Sequence, residues 1–271
     1  MQSGCGNNPP FNGYFTNCFG PAVIPSAARD LLFLVFLVLP VALAAATQAA
    51  PAQDRPVSNA AASAQTLEAV LRGMDQAAAR FTSVVGNLEY TKVTIIVNDH
   101  STERGKIYFE KAKGKTRVML AFQEPAEKYV LFQGSKVSLY RPKIAEVEEY
   151  DVGQRKALVE QFLLLGFGTA GSELEKSYRV TWRGEESLDG QRVAHLELIP
   201  KAASVTAQLK QIELWLSTVD WQPVQQKFWE PSGDYLIARY RDLKQNAKIP
   251  GKSFQLPIRG KVKTVRPQGG S

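Results

Sequence analysis

GKIYFEKAKGKTRVMLAFQEPAEKYVLFQGSKVSLYRP, residues 105–142, divides into four short strand candidates with turn residues between them. Ile107–Phe109 is apolar and aromatic, and the cluster Lys111–Lys115 makes a polar turn after it. Arg117–Phe122 alternates, with Val118, Leu120 and Phe122 on one face. Glu124-Pro125 stops it, because proline cannot donate to a ladder. Tyr129–Phe132 follows, Gln133-Gly134-Ser135 turns, and Val137, Leu139 and Tyr140 make a fourth strand ending at Arg141-Pro142. Short strands separated by short turns predict an antiparallel meander.

Several of these strands are apolar on both faces: Ile107 to Phe109, Val118 to Phe122 and Tyr129 to Phe132 run without a clean alternation. A sheet wet on one side alternates. One face here is therefore expected under packed elements, and the other either lines something or belongs to a sandwich core.

Upstream, residues 1–30 are rich in Gly, Pro and Asn and show no period, an atypical N-terminal extension. Residues 31–52 hold an apolar run of about sixteen residues, interrupted by Pro40 and short for a membrane span. With Arg29 before it and Ala42-Leu43-Ala44 or Ala50-Pro51-Ala52 as cleavage sites, it reads as a secretory signal peptide, an uncleaved anchor being the alternative. Cys5 and Cys18 both precede the run, so the mature chain would lack cysteine and depend on its core. A periplasm fits this.

Residues 53–64 read as a linker. Leu67, Val70, Leu71, Met74, Ala78 and Phe81 then recur at helical spacing. Asn87–Val97 is rich in β-branched residues and reads as a strand turned by Asn98-Asp99-His100, and Val147, Tyr150 and Val152 add another. Gln154–Leu165 places Leu158, Phe162 and Leu165 on one stripe, and Phe162–Gly168 is apolar nearly all round. Such a helix is buried or covers an apolar hole. Beyond it come a short helix at Ser172–Lys176, a strand at Tyr178–Trp182, and the hairpin signal Asp189-Gly190 feeding Val193–Ile199. Strands at Ile212–Leu216, Val224–Trp229, Tyr235–Leu243 and Phe254–Arg259 complete the pattern, the last broken by Pro257. About ten or eleven strands and two or three helices form one domain over residues 65–267, with a tail at 268–271; so many strands close up, at least partly, into a barrel or sandwich.

The chain carries 33 basic and 26 acidic side chains, and since Arg29 and Asp30 cancel, the net +7 belongs to the part after residue 52. The clusters Lys111, Lys113, Lys115, Arg117 and Lys252, Arg259, Lys261, Lys263, Arg266 carry no recognition-helix, zinc-finger or RNP-like pattern, so nucleic acid is not expected as a partner. Neither is catalysis. There is no Gly-x-Ser-x-Gly, P-loop or HExxH, and His100 and His195 lack metal-ligand spacing. Glu146, Glu148 and Glu149 read as a solvated strand edge, and no cofactor or metal is called for.

Gln133-Gly134-Ser135-Lys136-Val137-Ser138-Leu139-Tyr140-Arg141-Pro142 resembles the "DGK-x-L-W-x-Y-x-P" hairpin of the periplasmic lipoprotein carriers of the Lol pathway, the LolA family. Glu124-Pro125 is similar to that family's turn, Gly114-Lys115-Thr116-Arg117 to its "PG-x-x-R", and Asn246 with Phe254-Gln255-Leu256-Pro257 to its closing signature. The resemblance covers residues 65–267. It implies a mostly β fold with α: an incomplete, strongly curved antiparallel barrel covered by helices. It also implies a monomer that ferries acylated lipoproteins, or a related lipid, from an inner-membrane release complex to an outer-membrane receptor. A sixteen-carbon chain in water costs ~12 kcal/mol unless shielded, and an apolar concave sheet offsets that cost. On this basis Phe109, Val118, Leu120, Phe122, Val130 and Phe132 are expected to line the cavity, with Leu71, Met74, Leu158, Phe162 and Leu165 in the helical lid. Where the family has an Arg-Pro pair that holds the lid shut, this chain has Lys111-Ala112, and Ser138 stands in the place of the hairpin Trp. Lysine lacks the planar fork of arginine, so Lys111 would close the lid differently. A lipoprotein-sensing regulatory module of the cell envelope is the alternative function.

Overall fold

All four strand candidates of the opening stretch form. The computed structural model describes residues 60–267 apart from 113, 154, 155 and 164, so the expected extension and signal segment lie outside the described residues. A helix, α1 (Ala60–Arg80), starts inside the stretch read as linker and leads into β1 (Ser83–Thr94). The meander continues through β2 (Asp99–Ala112), β3 (Lys115–Glu124), β4 (Lys128–Gln133), β5 (Lys136–Arg141) and β6 (Glu146–Asp151). Helices α2 (Lys156–Leu163) and α3 (Gly171–Ser177) follow. The second meander is β7 (Tyr178–Leu188), β8 (Gln191–Pro200), α4 (Ala203–Thr206), β9 (Gln211–Ser217), β10 (Pro223–Trp229) and β11 (Tyr235–Gln245). Between Asp189 and Gly190, both at positive φ, lies the two-residue turn expected of that dipeptide.

The last strand is not where the sequence pattern put it. Gly251–Phe254 is a short 3-10 helix between Pro250 and Pro257, and the closing strand is β12 (Lys263–Val265). That brings one open sheet to twelve strands, in the order β12-β6-β5-β4-β3-β2-β1-β11-β10-β9-β8-β7. All its ladders are antiparallel except β12 on β6. The curvature has a visible cause at Gly105, beside a bulge in the β2–β3 ladder. A Cβ there would stand 2.2 Å from the Ala121 carbonyl oxygen, so only glycine allows the strands to close in.

The outer apolar face of the meander is covered, and the inner one only in part. Outside, Met119, Tyr108, Tyr129 and Leu131 pack beneath Ile249, Phe254 and Leu256 of the C-terminal segment. The Arg117 guanidinium sits 4.3 Å from the centre of the Phe254 ring. Asn246 ties the segment down, its Oδ1 accepting from the Thr82 N–H at 2.8 Å. Inside, the two halves of the sheet differ. The β7–β9 half is filled by α1 and α3, with Val70, Leu71, Met74 and Leu174 against Leu196, Leu198, Ile212 and Leu214. The β1–β6 half is filled only at one end.

Antiparallel pairing sorts the connections between two ends. Those joining β1–β2, β3–β4, β5–β6, β8–β9 and β10–β11 lie at one end, which we term the upper; those joining β2–β3, β4–β5, β7–β8 and β9–β10 lie at the lower.

Candidate functional site

Register turns side-chain alternation into rows. Phe109, Val118, Phe132 and Val137 form the lower row across β2–β5, and Ile107, Leu120, Val130 and Leu139 form the row above it. Phe122, opposite Lys128, stands nearest the upper end. The lower row is sealed at Phe109 and Phe132, while Val118 reaches the cavity. Phe109 and Phe132 are each 1% exposed, with Phe81 packed on Phe109 at 5.2 Å between ring centres. Above it the wall faces empty space.

That space is a cavity of about 640 Å³, well inside the ~300–1,000 Å³ usual for ligand cavities. Its meander wall is Ile107, Val118, Leu120, Phe122, Val130 and Leu139, with Leu88 and Tyr90 of β1. Gln226, Phe228, Leu236, Ala238 and Tyr240 of β10 and β11 form the facing wall, and Phe162 and Leu163 of α2 the cover. Upper-end connections make the rim: Pro125 to Lys128, Lys143 and Ile144, Ala207 and Gln208, Glu230 to Ser232. Several of these rim residues are exposed, so the cavity opens at this end. Beside the rim, Lys128 Nζ is 2.5 Å from Glu103 Oε2 and 4.8 Å from the centre of the Phe122 ring.

Among the described residues the cover is fastened by Val159, 2% exposed in the core of this half, by Leu165 in the core of the other half, and by one ring and one amide. Phe167, just past α2, is 1% exposed and meets Tyr240 edge-on at 4.9 Å and Phe109 at 6.3 Å. Gly168 makes this possible: its φ is +63°, and a Cβ there would lie 2.5 Å from the Phe81 ring. Gln226 Nε2 donates to the Leu165 carbonyl, and the Tyr240 hydroxyl donates to Gln226 Oε1 at 2.8 Å. Burial pushes the Tyr240 hydroxyl above the usual phenol range, so it stays a donor.

Two polar atoms of the cavity lining are buried without a hydrogen-bond partner among the described residues, Arg141 Nη2 and Gln208 Oε1. Arg141 Nη1 is engaged, at 3.1 Å from Glu146 and 2.7 Å from Glu148. The glutamates expected on a solvated edge thus include two that brace an arginine of the cavity wall.

Of the residues expected to line the cavity, Val118, Leu120, Phe122 and Val130 do so, together with Phe162 of the lid. Phe109 and Phe132 share their face of the sheet but are sealed in the core below the cavity. Leu71, Met74 and Leu165 belong to the packed core of the other half. Leu158 falls in α2, but its side chain lies outside the described residues. Lys111 is exposed near the lower end of β2, its N–H donating to Thr82 at 2.8 Å; the polar contact described for the cover comes from Gln226 instead. Gln226 and Tyr240 do not stand out in the sequence, where a Gln-Gln pair in a strand carries no signal. The register of β10 against β11 pairs Gln226 with Ala238, and only the folded sheet carries it under the lid.

On the outer face, His195 stacks on Trp215 at 4.3 Å, with Nδ1 2.6 Å from Glu186 Oε1 and Nε2 3.2 Å from Glu213 Oε2. Burial lowers the His195 pKa, but the two carboxylates outweigh it and leave it raised. Among the described residues no group of three or more His, Cys, Asp or Glu side chains could hold a metal, and no helix is long and apolar enough to cross a membrane.

An open, curved sheet around an apolar hollow, with helices over it, is the architecture expected of a binding or carrier protein. Residues 87–257 match the family model of the outer membrane lipoprotein carrier protein LolA, and the chain belongs to that family. Solved structures of similar fold include MucB, at 16% identity over 73% of this chain and 66% of that one, with a TM-score of 0.48. MucB has also been solved with MucA of Pseudomonas aeruginosa. Others are the Mycobacterium tuberculosis lipoprotein LppX (14% identity, 69% and 98% covered, TM-score 0.43) and the LolA superfamily protein NE2245 of Nitrosomonas europaea (16%, 70% and 97%, 0.35). The chain thus spans just under two thirds of MucB. No curated protein sequence matches it.

Proposed function

We propose that this protein is a periplasmic carrier, exported on the signal segment at 31–52, that holds acyl chains of lipoproteins or a related lipid and shuttles them from inner to outer membrane. The observation that carries this is the 640 Å³ apolar cavity, open at one end and covered by a helical segment fastened in part by the Phe167 ring and the Gln226 amide. Val118, Leu120, Phe122 and Val130 shield the chain from water, and Phe162 and Leu163 cover it. An acyl cargo also brings ester or amide carbonyls and N–H groups. Arg141 Nη2 supplies a donor to such a linkage and Gln208 Oε1 an acceptor, both of which are otherwise buried at a cost. The family match supports binding and carriage as the class of function, and no enzymatic step is proposed.

Native mass spectrometry of the processed protein from a periplasm, with lipid extraction alongside, tests this. Co-purifying acylated peptide or lipid is expected, and its loss in a folded Leu120→Glu variant would locate it in the cavity. An empty protein that also refuses an acyl probe would sink the proposal. Tight capture of an inner-membrane regulatory protein, with no transfer of lipid between membranes, would mark the sensing module instead.

A further inference from the structure

Hairpin turns ordinarily hold Gly, Asn, Asp or Ser, which accept the turn geometry and face water at no cost. The β1–β2 turn holds Ile95, Ile96 and Val97, closed by Asn98 at positive φ. The three are 51%, 85% and 68% exposed, a run of large aliphatic side chains standing in solvent on one loop. This turn belongs to the upper end, where the cavity opens, and it is anchored to the rim: the Ile95 N–H donates to Asp234 Oδ1 at 2.9 Å, next to the Ser232 that lines the mouth. Ile144, 59% exposed, lines the same mouth from the β5–β6 turn, beside the exposed Lys143.

We propose that the Ile95–Val97 tip enters the interface of a lipid bilayer and holds the cavity mouth against it. Three observations select a bilayer over a protein partner. The tip is wholly aliphatic, without the Trp, Tyr or Arg that anchors protein interfaces. Its backbone is partly satisfied from within, since the Asn98 N–H donates to the Ile95 carbonyl at 3.1 Å and the Ile95 N–H to Asp234, which lowers the cost of leaving water. And it stands at the one end through which cargo can pass, with Lys143 on the rim to meet lipid phosphate. The purpose assigned to the tip rests on the proposed carrier function; its contact with lipid is tested apart from that.

Ile96→Trp and Val219→Trp variants of the full chain are mixed with phosphatidylcholine vesicles whose acyl chains carry bromine. Val219 is a matched control, also 85% exposed but in the β9–β10 turn at the lower end. Tryptophan at 96 is expected to shift to the blue and be quenched beyond the background of the parent's four tryptophans, and tryptophan at 219 is not. In a second arm, Ile96→Asp is expected to slow transfer of a fluorescent fatty acid to vesicles by about tenfold or more while leaving its uptake from solution unchanged. Absence of quenching at 96, equal quenching at both positions, or unaltered transfer by Ile96→Asp would each overturn the proposal. A protein quenched at 96 that takes up no fatty acid at all would remove the carrier function and leave the membrane contact standing.

Discussion

Replacing Phe167 by alanine should open the cover without unfolding the sheet. The ring is 1% exposed and touches Tyr240 and Phe109, both parts of the cavity half rather than of α2. A buried Phe→Ala exchange costs about 3–5 kcal/mol, of which each edge-on ring contact supplies about 0.5–1.5. If the segment 156–168 opens as one unit, that energy falls on the closed cover alone, since the strands keep their ladders. At 1.4 kcal/mol per factor of ten, even the lower figure raises the open population about a hundredfold. Hydrogen exchange read peptide by peptide measures this. Amides of 156–168 should exchange about a hundredfold faster, while those of β2, β3 and β9 hold their rates. Uptake of an acyl probe should quicken in step. Equal acceleration in cover and strands would refute the reasoning, because the ring would then support the whole fold rather than fasten a movable part. Unchanged exchange throughout would refute it equally.

Gln226→Leu keeps the volume but strips the Leu165 carbonyl and the Tyr240 hydroxyl of their partner, and should loosen the same segment by about 1–3 kcal/mol, read by the same exchange experiment. Gly105→Val forces a side chain onto the Ala121 carbonyl and should cost more than about 3 kcal/mol in urea denaturation. His195, whose pKa is raised, contributes stability that is complete below its ordinary value near 6.5 and is lost as pH rises through the folded value. Glu213, whose pKa is lowered first by His195, contributes above the ordinary carboxylate range and is lost as pH falls. The two-histidine chain makes the NMR titration simple to assign: Glu213→Gln should drop the His195 pKa toward 6.5, and an unmoved curve would deny the pairing.

The sheet was legible because alternation and turn chemistry are local. Val118, Leu120 and Phe122 share a face whatever the rest of the chain does, and Asp189-Gly190 turns wherever it stands. What local pattern does not carry is depth along a strand. Phe109 and Leu120 share the inner face of adjacent strands, yet one is plugged by Phe81 and Phe167 and the other borders empty space. That difference is made by residues about 30 and 60 positions away in sequence. Leu71 and Met74 pack in the other half for a related reason: a helical stripe declares that it will be buried but not against which half of the sheet. The doubly apolar strands did announce two apolar faces put to use: one lines the cavity and the other lies under Ile249 and Phe254.

No ladder joins β7 to β12, so the wall around the cavity is a clip rather than a hoop. In a closed barrel the girth is set by strand number and stagger, and widening it breaks hydrogen bonds somewhere on the ring. A clip spreads by flexing its twist, with every ladder intact, and the resistance comes from what bridges the gap. Here the packing of α1 and α3 on the β7–β9 half, and of the α2 segment on Tyr240 and Gln226, supplies that resistance. On the proposed carrier function the bore is adjustable, and side-chain packing rather than the ladders of the sheet determines how thick a load it accepts.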